Sequence, residues 1–195
     1  MAKKIGNRTI FLIVVFITVL PLVLAWFALQ NPELFGKRDN YGHLVVPPIP
    51  LNYEGLTPVD AHAQEAMSEI KGRWMILQIQ SVPQCTQFCQ SSLQITQKLW
   101  LRLNKDLSRV RRVLMINFPA TEQSENTAFD PYVLRVSANA RWLEQISKAI
   151  DGKLEEGMIF LVDPLGNFFM WYEAGFDPYG MTKDFNRLLS VSRIG

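Results

Sequence analysis

The chain has 195 residues, of which 48% are hydrophobic, so it is long enough for one medium-sized domain and an accessory segment. Its 20 basic and 18 acidic residues give a formal net charge of +2. That balance lacks the strong positive charge on which nucleic-acid binding depends, and it excludes no other class of partner.

The first predicted element is a membrane helix at residues 10–29. This stretch contains no charged side chain, and about 20 apolar residues span the hydrocarbon core of a bilayer. Lys3, Lys4 and Arg8 precede it closely, and positively charged flanks stay in the cytoplasm. We therefore expect a cytoplasmic N-terminus at residues 1–9, one membrane helix and, in a bacterium, a periplasmic remainder.

A cleaved signal peptide is the alternative interpretation of the same stretch. The apolar run is longer than the usual core of a signal peptide, and no typical cleavage site of small residues follows it. Trp26 lies near its outer end, where membrane helices place aromatic residues at the interface. An uncleaved single-pass anchor in the bacterial inner membrane is the preferred interpretation.

Residues 30–58 are rich in Pro, Gly and Asn and have no helical period, which predicts a linker followed by extended strands that lead into the domain. Within them, residues 44–46 precede two prolines and are predicted to form a short edge strand, because proline is tolerated there and not in a central strand. Residues 60–71 are weakly patterned and are predicted to form a loop or a short helical turn.

The next predicted elements alternate between strand and helix. A short apolar run at residues 74–80 predicts a buried strand, and helical spacing over residues 83–103 predicts a helix after a tight turn. Residues 109–118 indicate a second buried strand. Its three arginines, Arg109, Arg111 and Arg112, are interpreted as a solvated strand edge. Residues 119–131 are polar and predict a loop.

The last third of the sequence predicts a helix, two strands and a closing helix. Ser137 is predicted to cap a helix over residues 138–150. Strands at 158–162 and 167–172 are joined by a Pro- and Gly-containing turn, and a helix covers 178–192. The order β-α-β-α-β-β-α predicts an α/β domain with a mixed sheet flanked by helices.

The only two cysteines, Cys85 and Cys89, lie at the first predicted strand-to-helix turn. In a helix that begins near Pro83, residues four apart share one face. A helix N-terminus favours the thiolate form of a cysteine. We therefore expect both sulfurs together at an exposed junction, with Cys85 as the nucleophile and Cys89 as the resolving thiol of thiol–disulfide exchange.

Two other roles use the same cysteines. A structural disulfide is disfavoured, because a bridge enclosing three residues constrains the unfolded chain very little. Copper(I) binding suits soft thiolates but needs a further ligand. The only histidines, His43 and His62, both precede the first core strand, and a lone histidine in a loop is more often solvated than a ligand.

Taken together, these features resemble the Sco family, membrane-anchored thioredoxin-like assembly factors of cytochrome oxidase that carry C-x-x-x-C after their first core strand. The resemblance is carried by the anchor, residues 41–48, the Cys85–Cys89 motif, and residues 159–166, which are similar to the family's YLIDPDG. The ending at residues 177–195 resembles small anchored proteins associated with cytochrome c oxidase genes.

The resemblance implies a thioredoxin-like domain over residues 59–195 and a role in maturing the copper centre of oxidase subunit II. That role is either copper(I) delivery or reduction of the cysteines that receive copper. The implied partners are the inner membrane and an oxidase subunit or another assembly factor.

The sequence departs from the family in front of the strand at residue 159. The Sco family has a histidine ligand there, whereas this chain has Glu155 or Glu156, interpreted as a solvated acidic loop. A carboxylate is a hard ligand that suits copper(I) poorly. The thioredoxin proline is also missing, because Gly157 precedes Met158. The preferred hypothesis is thiol–disulfide exchange; a copper(I) chaperone and a non-catalytic scaffold are the alternatives.

Overall fold

The computed structural model describes residues 6–31, 40–118, 130–152 and 154–192. The chain divides into two compact units, residues 1–39 and 40–195. Part of the predicted linker and most of the predicted loop at 119–131 lie outside the described residues, as do Lys3 and Lys4.

The first unit contains helix α1, Asn7–Gln30, which has Pro21 in its interior. Its most apolar window has a mean hydropathy of 2.9, and none of that window is buried. At 1.5 Å per residue the 24 residues of this helix are about 36 Å long, which exceeds the hydrocarbon core of a bilayer. The predicted apolar helix is confirmed as long and apolar enough to cross a membrane.

In its described residues, the second unit is built on a mixed sheet of seven strands, in the order β1-β7-β6-β3-β4-β5-β2. Strands β3, β4 and β5 run parallel, and every other pairing is antiparallel. The strands are β1 His43–Pro50, β2 Leu56–Pro58, β3 Trp74–Gln80, β4 Val110–Ile116, β5 Val133–Ala138, β6 Ile159–Val162 and β7 Asn167–Tyr172. The helices of this unit are α2 Ala61–Ala66, α3 Gln87–Arg102, α4 Ala140–Ala149 and α5 Pro178–Val191.

Helices cover both faces of this sheet. On one face, Trp142 and Ile146 of α4 pack in a cluster with strand residues such as Leu77. On the other, Leu99 of α3 and Phe185 of α5 pack with the opposite side of the strands. The predicted α/β fold with a mixed sheet flanked by helices is confirmed, and α3 is held on the second face with its N-terminus beyond the end of β3.

One strand was missed by the sequence prediction, and this shifts the neighbouring helix. Strand β5 pairs parallel to β4, and Ser137 lies opposite Ile116 in it. Ser137 is therefore not the helix cap. Helix α4 is capped instead by Asn139, whose side chain accepts a hydrogen bond from Trp142 N–H at 2.9 Å.

Because β5 covers β4, one predicted solvated arginine is buried. Arg112 is 2% exposed, pairs with Asp130 at 2.7 Å and donates to Leu93 O at 2.9 Å. Burial lowers the pKa of the Arg112 guanidinium, and Asp130 opposes that shift. The interpretation of all three arginines as a solvated edge is wrong for Arg112, which lies in an interior strand.

The segment that leads into the domain is an edge strand, as predicted, but it is longer. Strand β1 runs antiparallel to β7 and contains Pro47, Pro48 and Pro50. Its start is fixed to α5, because Asp184 accepts hydrogen bonds from Tyr41 N–H at 2.8 Å and Gly42 N–H at 3.0 Å. The predicted short helical turn after residue 60 is the helix α2 followed by a 3-10 turn.

Candidate redox site

The two cysteines lie where β3 connects to α3, but they do not share the helix. Helix α3 begins at Gln87, four residues later than predicted, because Thr86 is its N-cap and accepts a hydrogen bond from Cys89 N–H at 3.4 Å. Cys85 is therefore in the connecting loop, and Cys89 is in the first helical turn. The predicted placement of both cysteines along one helical face is wrong.

Cys85 and Cys89 form a disulfide, with their Cα atoms 5.3 Å apart. The residues before the cap are not helical, so the loop can turn the Cys85 side chain back towards the first turn of α3. The structure thus brings the two predicted site residues into direct covalent contact.

The two sulfur-bearing residues differ in exposure. Cys85 is half-buried, whereas Cys89 has no exposed surface. The expectation that both sulfurs are exposed is therefore wrong for Cys89, because α3 packs this side chain against the sheet. Of the two residues, only Cys85 has exposed surface, so Cys89 is shielded from external reactants.

Two buried glutamines on β3 donate hydrogen bonds to carbonyl groups beside the cysteines. The sequence analysis did not single them out. Gln78 Nε2 donates to Cys89 O at 2.9 Å. Gln80 Nε2 donates to Val82 O at 3.0 Å and to Pro83 O at 3.1 Å. The sequence does contain a signal for these two residues. They are polar residues at alternate positions of an apolar strand, and this spacing places both amides on one face of the sheet.

Of the two acidic residues that precede β6, one is exposed and the other accepts hydrogen bonds from the backbone. Glu155 is exposed, as predicted. Glu156 is half-buried, and its carboxylate accepts hydrogen bonds from Ser81 N–H and Val82 N–H at 3.0 Å each and from Thr86 N–H at 3.2 Å. The prediction of a solvated acidic loop is wrong for Glu156, which binds the backbone on both sides of Cys85.

Gly157 brings this segment against helix α3. Its φ is +88°, and a Cβ at this position would lie 2.9 Å from Phe88 Cβ and 3.1 Å from the backbone of Phe88. Its carbonyl accepts a hydrogen bond from Ser92 Oγ at 2.7 Å. The glycine found in place of the expected thioredoxin proline thus permits close packing on the cysteine-bearing turn, beside Phe88, which is 59% exposed.

Within the part of the chain that the structure describes, no third ligand for copper(I) is grouped with the cysteines. The described residues include no group of three or more His, Cys, Asp or Glu side chains that could hold a metal ion. His43 lies on edge strand β1, where its ring stacks on Trp171 with centroids 4.3 Å apart. His62 lies in α2, which packs near the opposite edge of the sheet. Neither histidine lies on the loop or the helix that carries the cysteines, so the described residues do not assemble two cysteines and one histidine into one donor set.

The comparisons with known proteins agree with this fold. A family model described as "Transmembrane-like, thioredoxin-like, C-terminal domain" matches residues 74–192, which is more than half of the chain. The chain belongs to this family of thioredoxin-like proteins. No curated protein matches the sequence.

Among solved structures, this chain is similar in fold to Sco proteins. Apo Sco1 from Thermus thermophilus has a TM-score of 0.52 at 14% identity, covering 77% of this chain and 96% of that one. Arabidopsis thaliana ScoI with copper bound has a TM-score of 0.50 at 14% identity, covering 74% of this chain and 98% of that one. The predicted Sco-like, thioredoxin-like fold is confirmed.

Proposed function

We propose that this protein is a membrane-anchored thiol–disulfide exchange protein that acts in the assembly of cytochrome c oxidase. The observation that carries the proposal is the disulfide between half-buried Cys85 and buried Cys89 at the β3–α3 junction. The sequence resemblance to the Sco family supports the pathway. The proposed partner is an oxidase subunit, or another assembly factor, that presents a pair of cysteines on the periplasmic side of a bacterial inner membrane.

The proposed reaction exchanges one disulfide for another. A client thiolate attacks Cys85 Sγ, the bond between Cys85 and Cys89 breaks, and Cys89 leaves with the electron pair and takes up a proton. A second client thiolate then attacks the client sulfur of the mixed disulfide and releases Cys85. The client loses two electrons and gains a disulfide, while this protein gains two electrons and becomes a dithiol; the reverse sequence reduces a client disulfide.

The exposure of the two cysteines predicts unequal reactivity. We expect reduced full-length Cys89→Ser protein in detergent to form a stable mixed disulfide with oxidised glutathione at Cys85, because the resolving thiol is missing. Cys85→Ser should react at least tenfold more slowly, because Cys89 is fully buried. Mass spectrometry of quenched samples measures both rates, and thermal unfolding checks that both variants are folded. Equal rates would contradict the assigned roles.

Copper(I) carriage by the same residues is the second candidate, because the closeness of the two sulfurs would let both thiolates bind one ion after reduction. Anaerobic copper(I) titration of the reduced full-length protein separates the two functions. Weak binding that a competing chelator removes is expected for the exchange protein, whereas tight stoichiometric binding that is lost in Cys85→Ser would favour the carrier.

A Cys85→Ser, Cys89→Ser double variant that still supports oxidase maturation would indicate a non-catalytic scaffold.

A further inference from the structure

We propose that Glu156 is a positioning residue of the redox site, and that its carboxylate holds the loop bearing Cys85 so that the disulfide is favoured over the dithiol. This inference rests on the proposed exchange function. We use the term carboxylate clamp for Glu156 together with the three backbone N–H groups that it binds, those of Ser81, Val82 and Thr86.

The carboxylate clamp spans the loop from one end to the other. Glu156 Oε1 accepts from Ser81 and Val82 N–H, at the exit of β3, and Oε2 accepts from Thr86 N–H, at the cap of α3. Hydrogen bonds to an ionised acceptor are about twice as strong as those between neutral groups. Cys85 lies between these contacts, so the clamp fixes the backbone that carries the reactive sulfur.

Gly157, the residue that follows Glu156, is held against α3, the helix that carries Cys89. Gly157 O accepts the hydrogen bond from Ser92 Oγ in α3, and the Gly157 backbone packs directly against Phe88. Glu156 therefore joins the Cys85 loop to the helix of Cys89 through a short and buried connection. Because the two sulfur-bearing segments are already held together, closing the disulfide orders less of the chain than it would with a free loop.

The negative charge of Glu156 also favours the disulfide over the dithiol. The clamp binds Thr86, the residue directly after Cys85. A thiolate formed at Cys85 on reduction would be one residue along the chain from this contact, and like charges at short range disfavour each other, whereas a disulfide carries no charge. Both effects stabilise the oxidised protein relative to the reduced protein.

The same contacts engage one of the two residues, Glu155 or Glu156, that the sequence resemblance places near the Sco family's histidine ligand. Both oxygens of the Glu156 carboxylate already accept backbone hydrogen bonds. Binding a metal would leave Ser81, Val82 and Thr86 N–H groups without this acceptor. The Glu156 carboxylate is thus engaged with the backbone on both sides of Cys85.

The experiment compares the reduction equilibrium of variants in full-length protein in detergent. Each protein is equilibrated anaerobically with mixtures of reduced and oxidised glutathione, and the dithiol fraction is measured by alkylation and mass spectrometry. We expect Glu156→Gln to shift the equilibrium towards the dithiol by about tenfold, a rise in reduction potential of about 30 mV. Glu156→Ala should shift it further, because no acceptor remains for the three N–H groups.

Glu155→Gln is the matched control. It removes the same charge from Glu155, whose side chain is exposed and which directly precedes Glu156. Its equilibrium should stay within about twofold of the wild type. Amide hydrogen exchange at Ser81, Val82 and Thr86 should accelerate in Glu156→Ala and stay unchanged in Glu155→Gln. If Glu156→Ala does not fold, the nearly isosteric Glu156→Gln carries both measurements.

A Glu156→Gln protein with the wild-type potential and wild-type exchange at these amides would overturn the clamp. If the wild-type disulfide does not equilibrate with glutathione at all, the proposed exchange function fails instead. Hydrogen exchange at the three amides then still decides whether Glu156 holds the loop.

Discussion

At the scale of single residues, the site depends on groups whose roles follow from their burial and their partners. Cys85 and Cys89 are chemically identical, yet only Cys85 is accessible, because α3 carries Cys89 against the sheet. Gln78 and Gln80 are polar residues of a buried strand that bind carbonyl groups of the Cys89 turn and the loop. Their Nε2 groups would lose these acceptors if the backbone around the cysteines moved, and an unpaired buried N–H group is costly, whereas the two amide oxygens have no hydrogen-bond partner among the described residues.

A second buried polar group ties the start of the domain to its last helix. Asp184 is 4% exposed and accepts hydrogen bonds from Tyr41 N–H, Gly42 N–H and, at 3.1 Å, Tyr172 Oη–H. Burial and the neighbouring Asp184 raise the pKa of Tyr172 well above its usual value. This hydrogen bond requires a protonated phenol, so the contact depends on pH.

We expect Tyr172 to make the protein less stable at high pH. An unfolded tyrosine titrates near pH 10, whereas folded Tyr172 keeps its proton to higher pH. Its contribution is fully present below about pH 10 and is lost as the pH rises above that value. Between about pH 10 and 12 the free energy of unfolding of the wild type should fall by about 1.4 kcal/mol per pH unit more than that of Tyr172→Phe.

Urea unfolding at pH 9, 10 and 11 measures these slopes. Tyr179→Phe is the control, because Tyr179 is 71% exposed and its loss should leave the slope unchanged. Equal slopes for wild type and Tyr172→Phe would show that Tyr172 does not carry this dependence.

At the scale of elements, the site depends on where α3 begins and on what meets its first turn. Thr86 caps the helix, so the sulfur of Cys85 approaches from a loop and that of Cys89 from the helix. The segment before β6 then packs on this turn through Gly157. A side chain at Gly157 would disturb the same turn that holds the disulfide.

We expect Gly157→Ala to destabilise the protein by about 3 kcal/mol, because the positive φ and the contact with the Phe88 backbone both oppose a Cβ. Gly72→Ala separates the two effects, since Gly72 has φ +77° and open space around its Cβ position. It should cost only about 1 kcal/mol. Chemical unfolding of both variants provides the comparison, and similar losses would indicate that the contact with Phe88 contributes nothing.

At the scale of the whole molecule, the chain combines an apolar N-terminal helix with a thioredoxin-like domain. The division predicted from the sequence, with residues 1–9 cytoplasmic and residues 59–195 periplasmic, stays a prediction. Its physical basis is the retention of Lys3, Lys4 and Arg8 on the cytoplasmic side. An oxidising compartment would also allow the disulfide to persist.

Protease protection tests this orientation. Protease added to spheroplasts should digest the domain, whereas the domain should be protected in inverted inner-membrane vesicles until detergent is added. Protection in intact spheroplasts would contradict the proposed periplasmic location. A soluble cytoplasmic protein in the same spheroplasts serves as the control for membrane integrity.

The sequence by itself determined the features that depend on local pattern. The apolar helix, strand β3, strand β7 and the helix before the C-terminus follow from hydrophobic period and length. The turn between β6 and β7 follows from its residues, because Asp163 Oδ1 accepts from Leu165 N–H and Gly166 takes a positive φ. The cysteine spacing also indicated the candidate site, since the only two thiols of the sequence lie at a strand-to-helix turn.

Only the tertiary structure decided which of these groups are buried and what they bind. Glu156 binds Ser81, which is 75 residues away in the chain, and no local pattern encodes such a contact. The burial of Arg112 depends on β5 pairing with β4, and the burial of Cys89 depends on the packing of α3 against the sheet. The physical reason is that periodicity reports which face of an element is apolar, whereas exposure and hydrogen bonding depend on which elements meet.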